Sequence, residues 1–280
     1  MSTNSSRRRF IADGLALPAV ASAASVASAA APAPLRTLGK TGLRVPAVGF
    51  GCMITSDPSV VERAIDSGVV YFDTARVYQN GNNERMVGAA IRGKRDKLIL
   101  STKSQARKAR EALADLETSL KTLGTDHVDI WYMHAVDDPK EITDGMLAAW
   151  ESAKKQGKIR HIGISTHFPN LVADRIVQAG KFEVVLSTYN FTIGTASDAA
   201  FAKLSNAGIG LVAMKVMAPA ARQYGFKADR SGRMERPGGP LAALKWVLRN
   251  QRFATAIPSM VDMEQLETNL RALTEPFSAE

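Results

Sequence analysis

Titratable side chains close three successive apolar segments of the sequence. The segment VVYFD ends on Asp73, LILSTK ends on Lys103 and VDIWYMH ends on His134. A phenol, Tyr78, follows Asp73 by five residues. The carboxyl ends of the strands in a parallel barrel bring such side chains into one mouth. Each residue taken alone has a structural explanation, as a buried Asp–Lys pair, a partly buried histidine or a packed ring. All four at consecutive strand ends favour one shared site.

The reduction of a carbonyl group is the chemistry that needs this set of groups. Free tyrosine has a pKa near ~10 and is a poor acid at neutral pH. A lysine ammonium beside the phenol lowers that pKa, and a carboxylate holds the lysine charged. A histidine on the next strand can hydrogen-bond the carbonyl and orient it. We therefore predict that Tyr78 donates a proton, aided by the other three residues, while a nicotinamide supplies the hydride.

Short β-branched runs alternate with amphipathic helical stretches over most of the chain. Eight strand candidates in strict alternation with helices predict an α/β protein with a (β/α)8 TIM barrel, formed by residues 35–280. A doubly wound open sheet is the alternative, but it does not need eight regular units. A short N-terminal β-hairpin is predicted over Leu35–Pro46. The strand candidates are AVGFG, VVYFD, LILSTK, VDIWYMH, IRHIGIS, VVLSTY, GLVAMK and ATAIPS.

Helix boundaries and one long loop can be predicted from local signals. Gly124 stops a helix whose apolar residues recur every three or four positions, and Asp262 with Gln265 forms a capping box before the last helix. The insertion Ala218–Gly239 is predicted to be a mobile loop over the barrel mouth and a determinant of substrate specificity. The apolar positions before Gly124 are Ala109, Leu113, Leu116, Leu120 and Leu123.

The composition excludes several kinds of protein. The 280 residues carry a formal charge of +9, but lysines and arginines are scattered among acids, so nucleic acid is not an expected partner. The single cysteine, Cys52, allows no internal disulfide and no cysteine-based metal site. The four histidines lack metal-ligand spacing, and we expect no metal.

Three short matches to known motifs fail on one residue each. The GKT at Gly39–Thr41 lacks the earlier glycine of a phosphate-binding P-loop, because Pro34 stands there. The GFG at Gly49–Gly51 has Ile54 in place of the third glycine of a dinucleotide fingerprint. The GIS at Gly163–Ser165 is followed by His167 rather than the glycine of a nucleophile elbow.

Residues 1–34 are predicted to be an export signal and linker outside the barrel. Arg7 and Arg8 precede an Ala-rich, weakly apolar run, and Ala27 and Ala29 form a plausible cleavage site. The segment resembles a twin-arginine signal, which predicts the twin-arginine export machinery as a partner and a periplasmic or secreted location. The alternative is a basic arm with an Ala/Pro linker, which leaves the protein cytoplasmic. Too many Ala, Ser and Pro residues interrupt the apolar run for it to form a membrane-spanning helix, and no membrane span is expected after processing.

The sequence resembles the aldo-keto reductases. The motifs DTARVY, STK and YMH match the family's ordered Asp, Tyr, Lys and His, and NERMVGAAI, GKIRHIGIS and AIPSMVDMEQLETN extend the similarity over Leu35–Leu273. The resemblance implies that Tyr78 is the general acid, that Asp73 and Lys103 tune it, and that His134 positions the carbonyl. It implies reduction of an aldehyde or ketone, or the reverse oxidation of an alcohol. A catalytically weak redox sensor on the same barrel is the alternative function.

The resemblance also implies NADP as the cofactor, with NAD possible. A basic residue often holds the 2′-phosphate where this chain has Val261 and Asp262, and a carboxylate there would repel that phosphate. Met214, followed by Lys215, replaces a stacking tyrosine, and Thr166 replaces an asparagine, so the chain resembles a divergent branch of the family. The implied cofactor-binding positions are Gly51, Met53, Ser165, Thr166, Met214, Lys215, Ser259, Val261, Asp262, Gln265 and Asn269.

Overall fold

The structure is a computed structural model that describes residues 35–193, 195–217 and 239–275. The predicted export signal at residues 1–34 lies outside the described residues. The predicted loop Ala218–Gly239 also lies outside the described residues, except for Gly239 itself. The described residues belong to one compact unit.

A short antiparallel hairpin precedes the barrel. Strand β1 is Arg36–Thr37 and strand β2 is Arg44–Val45, joined by a single 3-10 turn at Gly39–Thr41. A Cβ atom at Gly39 would lie 2.2 Å from the backbone nitrogen of Gly210, so this close approach requires glycine. The hairpin therefore packs at the amino-terminal ends of the barrel strands.

Eight parallel strands follow among the described residues and lie in the sheet in their chain order. Two isolated parallel bridges, Val48 with Ala256 and Gly51 with Ser259, connect the first strand of the sheet to the last. The predicted (β/α)8 barrel with an N-terminal hairpin is thus confirmed. The strands are β3 Phe50–Gly51, β4 Tyr71–Asp73, β5 Ile99–Ser104, β6 Val128–Met133, β7 Ile159–Thr166, β8 Val184–Thr188, β9 Gly210–Met214 and β10 Phe253–Ala256.

Helices connect the strands and cover the outside of the barrel. The longest, at Ala109–Leu123, buries Leu116, Leu120 and Leu123 and ends at Gly124, whose φ of 68° suits glycine. None of the described helices is long and apolar enough to cross a membrane. The helices are α1 Pro58–Asp66, α2 Asn82–Ala90, α3 Ala109–Leu123, α4 Asp144–Lys155, α5 Pro169–Ala179, α6 Asp198–Asn206, α7 Gly239–Leu248 and α8 Met263–Leu270.

Strand alternation separates two apolar clusters. Tyr71 and Tyr132 belong to the cluster inside the barrel, whereas Trp131 belongs to the larger cluster between strands and helices and stacks on Trp150 at 3.7 Å between ring centroids. Successive strand residues point to opposite faces. Asp73, two residues after Tyr71, therefore also points into the barrel, at the carboxyl end of its strand.

Candidate active site

Lys103 holds the centre of the predicted site. Its side chain is 1 % exposed, and its ammonium donates to Asp73 Oδ2 at 2.5 Å, to the carbonyl of Thr74 at 2.7 Å and to the Tyr78 hydroxyl at 3.3 Å. An ammonium has three N–H donors and no acceptor. All three donors are used within the site, so the nitrogen has a fixed position.

Tyr78 lies in the loop after β4, directly above Lys103. The ammonium of Lys103 is 4.7 Å from the centroid of the phenol ring. The loop makes a tight turn here, with Gln79 at φ 50° and Asn80 at φ 55°. The Gln79 side chain donates to the backbone carbonyl of Thr55 at 2.9 Å, which joins this loop to the one after β3. The half-buried phenol is therefore held over the ends of β4 and β5.

His134 follows the end of β6 and meets Tyr78 edge-on, with ring centroids 5.8 Å apart and an interplanar angle of 82°. Its Nδ1 atom is buried and has no hydrogen-bond partner among the described residues. The Arg107 guanidinium donates to the carbonyls of His134 at 2.9 Å and of Ala135 at 3.1 Å. The backbone N–H of Ala135, at φ 53°, donates to Ser165 Oγ at 2.8 Å. The loop that carries His134 is thus held by the loop after β5 on one side and by β7 on the other.

The acidity of Tyr78 differs from the expectation drawn from sequence. Burial raises the pKa of the phenol above its ordinary value, and the charge of Lys103 opposes that rise without cancelling it. The predicted effect of Lys103 is thus present, but burial outweighs it, and the pKa of the phenol is raised overall rather than lowered. Burial penalises the charged phenolate and outweighs the nearby cation. Tyr78 is consequently protonated at neutral pH.

The pKa values of Lys103, Asp73 and His134 are also shifted in the site. Burial alone would lower the pKa of Lys103, but Asp73 and Tyr78 raise it overall, so the ammonium is retained. Burial raises the pKa of Asp73, and Lys103 and Ser101 oppose the rise. Burial, reinforced by the positive charge of Lys103, lowers the pKa of His134 to about 3, so its imidazole is neutral at physiological pH.

Two predicted cofactor residues on β7 use their hydroxyls within the protein. Ser165, 1 % exposed, accepts from Ala135 as described. Thr166 is fully buried and donates to Asp137 Oδ1 at 2.9 Å. The same hydroxyl accepts from the backbone N–H of Phe168 at 3.1 Å. In the structure both side chains fix the loops around His134, and their contact with a cofactor stays a prediction.

The predicted positions after β10 lie beside the bridge between Gly51 and Ser259, around the start of α8 and on its last turn. Asp262 caps α8 by accepting from the backbone N–H of Gln265 at 2.8 Å, and the Gln265 side chain accepts from the N–H of Val261 at 3.1 Å. The predicted capping box is thus present, with its return bond one residue earlier than usual. Asn269 is 3 % exposed, on the last turn of α8.

The remaining predicted positions surround the mouth. Gly51 pairs with Ser259, and a Cβ atom at Gly51 would lie 2.7 Å from the carbonyl oxygen of Ile257. Met53 is 45 % exposed in the loop after β3. Met214 is half-buried at the end of β9, and the exposed Lys215 follows it at φ 54°. No group of three or more possible metal ligands occurs in the part of the chain that the structure describes.

Sequence reasoning missed Ser101 and Arg107, which contact the predicted site directly. Ser101 lies opposite Asp73 in the register of β4 and β5, and its hydroxyl donates to Asp73 Oδ1 at 2.7 Å. Its position two residues before Lys103, on the same face of β5, was the available signal. Arg107 had no signal, because it contacts the site through backbone carbonyls of another loop.

The structure brings Asp73, Lys103, Tyr78 and His134 together at the carboxyl ends of the strands of a parallel barrel. The model of the Aldo/keto reductase family matches residues 56–237, which is more than half of the chain. The chain therefore belongs to the aldo/keto reductase family.

Several curated proteins are similar to the chain. L-glyceraldehyde 3-phosphate reductase of Escherichia coli O157:H7 is 27 % identical, over 88 % of this chain and 89 % of its own. L-galactose dehydrogenase of Arabidopsis thaliana is 27 % identical, over 86 % and 88 %. An oxidoreductase of Bacillus subtilis (strain 168), YqkF, is 32 % identical, over 54 % of this chain and 55 % of its own.

Solved structures show the same fold. A Bacillus halodurans aldo-keto reductase in its holo form has a TM-score of 0.73 at 24 % identity, over 88 % of this chain and 93 % of the other. A Klebsiella pneumoniae aldo-keto reductase in complex with NADPH has a TM-score of 0.72 at 24 % identity, over 88 % and 92 %.

Proposed function

We propose that the protein is an NADP(H)-dependent reductase of aldehydes or ketones, or the corresponding alcohol dehydrogenase, with Tyr78 as the general acid. The observation that carries this proposal is the 3.3 Å contact between the Lys103 ammonium and the Tyr78 hydroxyl. Lys103 can only donate in this contact. The hydroxyl proton of Tyr78 is therefore left for another acceptor, such as a carbonyl oxygen in the mouth.

Each residue has one task in the reduction. The cofactor, when bound, supplies hydride to the carbonyl carbon. Tyr78 gives its proton to the carbonyl oxygen, and the phenolate that remains is stabilised by the Lys103 ammonium and then takes a proton from water. Asp73 keeps that ammonium charged through the 2.5 Å ion pair. His134, neutral and with one N–H to donate, holds the carbonyl oxygen in line with Tyr78.

The residues around the mouth fit a nicotinamide cofactor. Met214 offers a half-buried thioether on which a nicotinamide ring can pack, and the exposed ammonium of Lys215 beside it can meet a phosphate. The N-terminus of α8, next to Ser259, is suited to a phosphate because helix N–H groups point outward there. The NADPH bound by the Klebsiella pneumoniae protein of the same fold supports this assignment.

NADPH is proposed over NADH in spite of Asp262. In the structure this carboxylate accepts the backbone N–H of Gln265 and caps α8, so part of its charge is already compensated by the helix. The names of the similar proteins, an L-glyceraldehyde 3-phosphate reductase and an L-galactose dehydrogenase, support a small aldehyde, or a sugar in the oxidative direction, as the substrate class.

Cofactor binding and turnover test this function. Titration of the purified full chain with NADPH or NADH, followed by tryptophan fluorescence, should show binding, and a panel of aldehydes and ketones should consume the bound cofactor. Tyr78→Phe should keep the cofactor Kd and lose about 10²–10⁴-fold in kcat, the usual contribution of a general acid. Tyr189→Phe is the matched control. Tyr189 is a buried phenol away from the site, and its hydroxyl accepts a hydrogen bond from the Asn250 side chain.

Tight binding without turnover on any carbonyl would contradict the enzyme and support a redox sensor. A Tyr78→Phe variant with full activity would show that the proton donor is another group.

We further propose that residues 1–34 direct export of the barrel through the twin-arginine machinery. The support is the paired Arg7 and Arg8 ahead of an Ala-rich run. Cell fractionation should place the wild-type protein in the periplasm or medium, and an Arg7→Lys/Arg8→Lys variant in the cytoplasm. Equal distribution of both proteins would contradict the proposal.

A further inference from the structure

A buried carboxylate in the helix layer is joined to both segments that form the contact between Lys103 and Tyr78. Glu84 lies in the first turn of α2, and its side chain is fully buried. Its Oε1 atom accepts from the Thr102 hydroxyl at 2.7 Å, and its Oε2 atom pairs with the guanidinium of Arg76. One carboxylate therefore connects β5 with the loop after β4.

The link to β5 reaches the residue next to Lys103. Thr102 is fully buried and lies on the same face of β5 as Leu100, which belongs to the cluster between strands and helices. Lys103 follows it and points to the opposite face, into the barrel. Because adjacent residues of a strand share one peptide unit, a displacement of Thr102 would shift the backbone that carries Lys103.

The link to the loop after β4 reaches Arg76, two residues before Tyr78. The backbone N–H of Arg76 donates to the carbonyl of Lys103 at 3.0 Å. Gly81, at φ 84°, ends the turn that follows Tyr78, and an added Cβ there would lie 1.9 Å from Nη2 of Arg76. The missing side chain thus leaves the space through which the guanidinium meets Glu84.

The two contacts make Glu84 compatible with its burial. A buried carboxylate is unfavourable unless it is paired and hydrogen-bonded. Arg76 supplies the opposite charge to one oxygen, and Thr102 supplies a neutral donor to the other. A displacement of either partner leaves part of the carboxylate unsatisfied, so the loop and the strand are held at a fixed separation.

We propose that Glu84, through Arg76 and Thr102, sets the position of the Tyr78 hydroxyl relative to the Lys103 ammonium. Because it acts through two other side chains, Glu84 is a positioning residue. The inference rests on the proposed function for its effect on the rate of reduction. It does not rest on that function for its effect on the distance between Lys103 and Tyr78.

Crystal structures of the full chain test the geometric part without an enzyme assay. Arg76→Met/Glu84→Gln removes both charges together, so neither is left buried without its partner, and the variant should fold. The Lys103 ammonium and the Tyr78 hydroxyl, 3.3 Å apart in the wild type, should then lie beyond hydrogen-bond distance. Thr102→Val breaks only the link to β5 and should give a smaller displacement. A contact kept at the wild-type distance in both variants would overturn the proposal.

Kinetics test the catalytic consequence. A misplacement of ~1 Å can cost about 10²-fold in rate, so we expect a loss of this size in kcat for Arg76→Met/Glu84→Gln, with little change in the Kd of NADPH. A merely structural role would not make this loss depend on Tyr78. In a Tyr78→Phe background the double substitution should cause no further loss, because the group that it positions is gone. A further loss of about 10²-fold in that background would overturn the positioning role.

Asp129→Asn is the matched control for Glu84→Gln. Asp129 is also a buried carboxylate, 1 % exposed; it pairs with Arg95 and accepts from the backbone N–H of Leu100 in β5, but at the amino-terminal ends of the strands. Both variants should lower the urea midpoint of unfolding, whereas only Glu84→Gln should lower kcat. Equal losses of kcat would contradict the proposal. If the wild-type chain reduces no carbonyl, the proposed function fails, while the crystal structures still decide what positions Tyr78.

Discussion

The Lys103 ammonium touches Tyr78 in two ways, through the hydroxyl at 3.3 Å and over the ring at 4.7 Å from its centroid. A cation over an aromatic face is attracted by the ring's electron density. The phenol is therefore held in place by Lys103 before any substrate arrives, and its own proton stays free for transfer.

The pH dependence of reduction follows from the direction of the pKa shifts. Burial raises the pKa of Tyr78, and Asp73 with Tyr78 raises that of Lys103 against its burial. Reduction needs the phenol protonated, so the rate is lost only when the pH rises through the raised Tyr78 pKa. We expect the high-pH limb of kcat to lie above ~10, the ordinary tyrosine value.

The profile of kcat against pH should show no limb from His134 at ~6.5, the ordinary pKa of histidine. Burial and Lys103 lower the pKa of His134 to about 3. The measurement is kcat from pH 5 to 11, compared with His134→Gln. A limb near ~6.5 that disappears in the variant would show that His134 titrates during turnover.

The buried ion pair should dominate local stability. Asp73→Asn leaves the Lys103 ammonium buried without its carboxylate, and breaking a buried pair on one side costs about 3–5 kcal/mol. The double variant Asp73→Asn/Lys103→Met should recover part of that loss, because the uncompensated charge is gone. Urea unfolding curves measure both. A double variant less stable than the single one would show that the pair itself, rather than the isolated charge, governs stability.

Any side chain at Gly163 should lower the stability of the barrel. In Gly163→Ala the new Cβ would meet the Tyr132 ring at 2.4 Å, and we expect a loss of about 1–3 kcal/mol, typical of overpacking. Gly145→Ala is the control, because a Cβ at this helical position would meet no atom within 4 Å. Thermal unfolding compares the two variants. Equal stability of both would mean that the ring of Tyr132 moves aside freely.

The charge at Asp262 should affect the choice between NADPH and NADH. Asp262→Ser keeps a capping oxygen for α8 and removes the negative charge. We expect the ratio of the Kd values to change about fivefold in favour of NADPH, as for an exposed charge interaction of ~1 kcal/mol. Glu264→Gln, in the first turn of the same helix, is the control. Equal effects of the two substitutions would indicate that the overall negative charge at the start of α8, rather than a contact at Asp262, affects the 2′-phosphate.

The sequence alone predicted the barrel, and it singled out four side chains that the structure brings together at the barrel mouth. Eight alternations of strand and helix are local patterns, and Asp73, Lys103 and His134 stand at the ends of runs that local periodicity reveals. The end of α3 at Gly124 and the cap of α8 were predictable for the same reason, since both depend on neighbours within one turn of helix.

Tertiary structure decided how these side chains are connected and charged. Strand register places Ser101 opposite Asp73 and Gly163 opposite Tyr132. The local periodicity of a sequence does not specify which residues of two strands lie opposite each other. The same holds for Ser165, whose hydroxyl holds the loop of His134. The net pKa of Tyr78 depends on how completely the phenol is removed from water, and that depth is a property of the packed barrel.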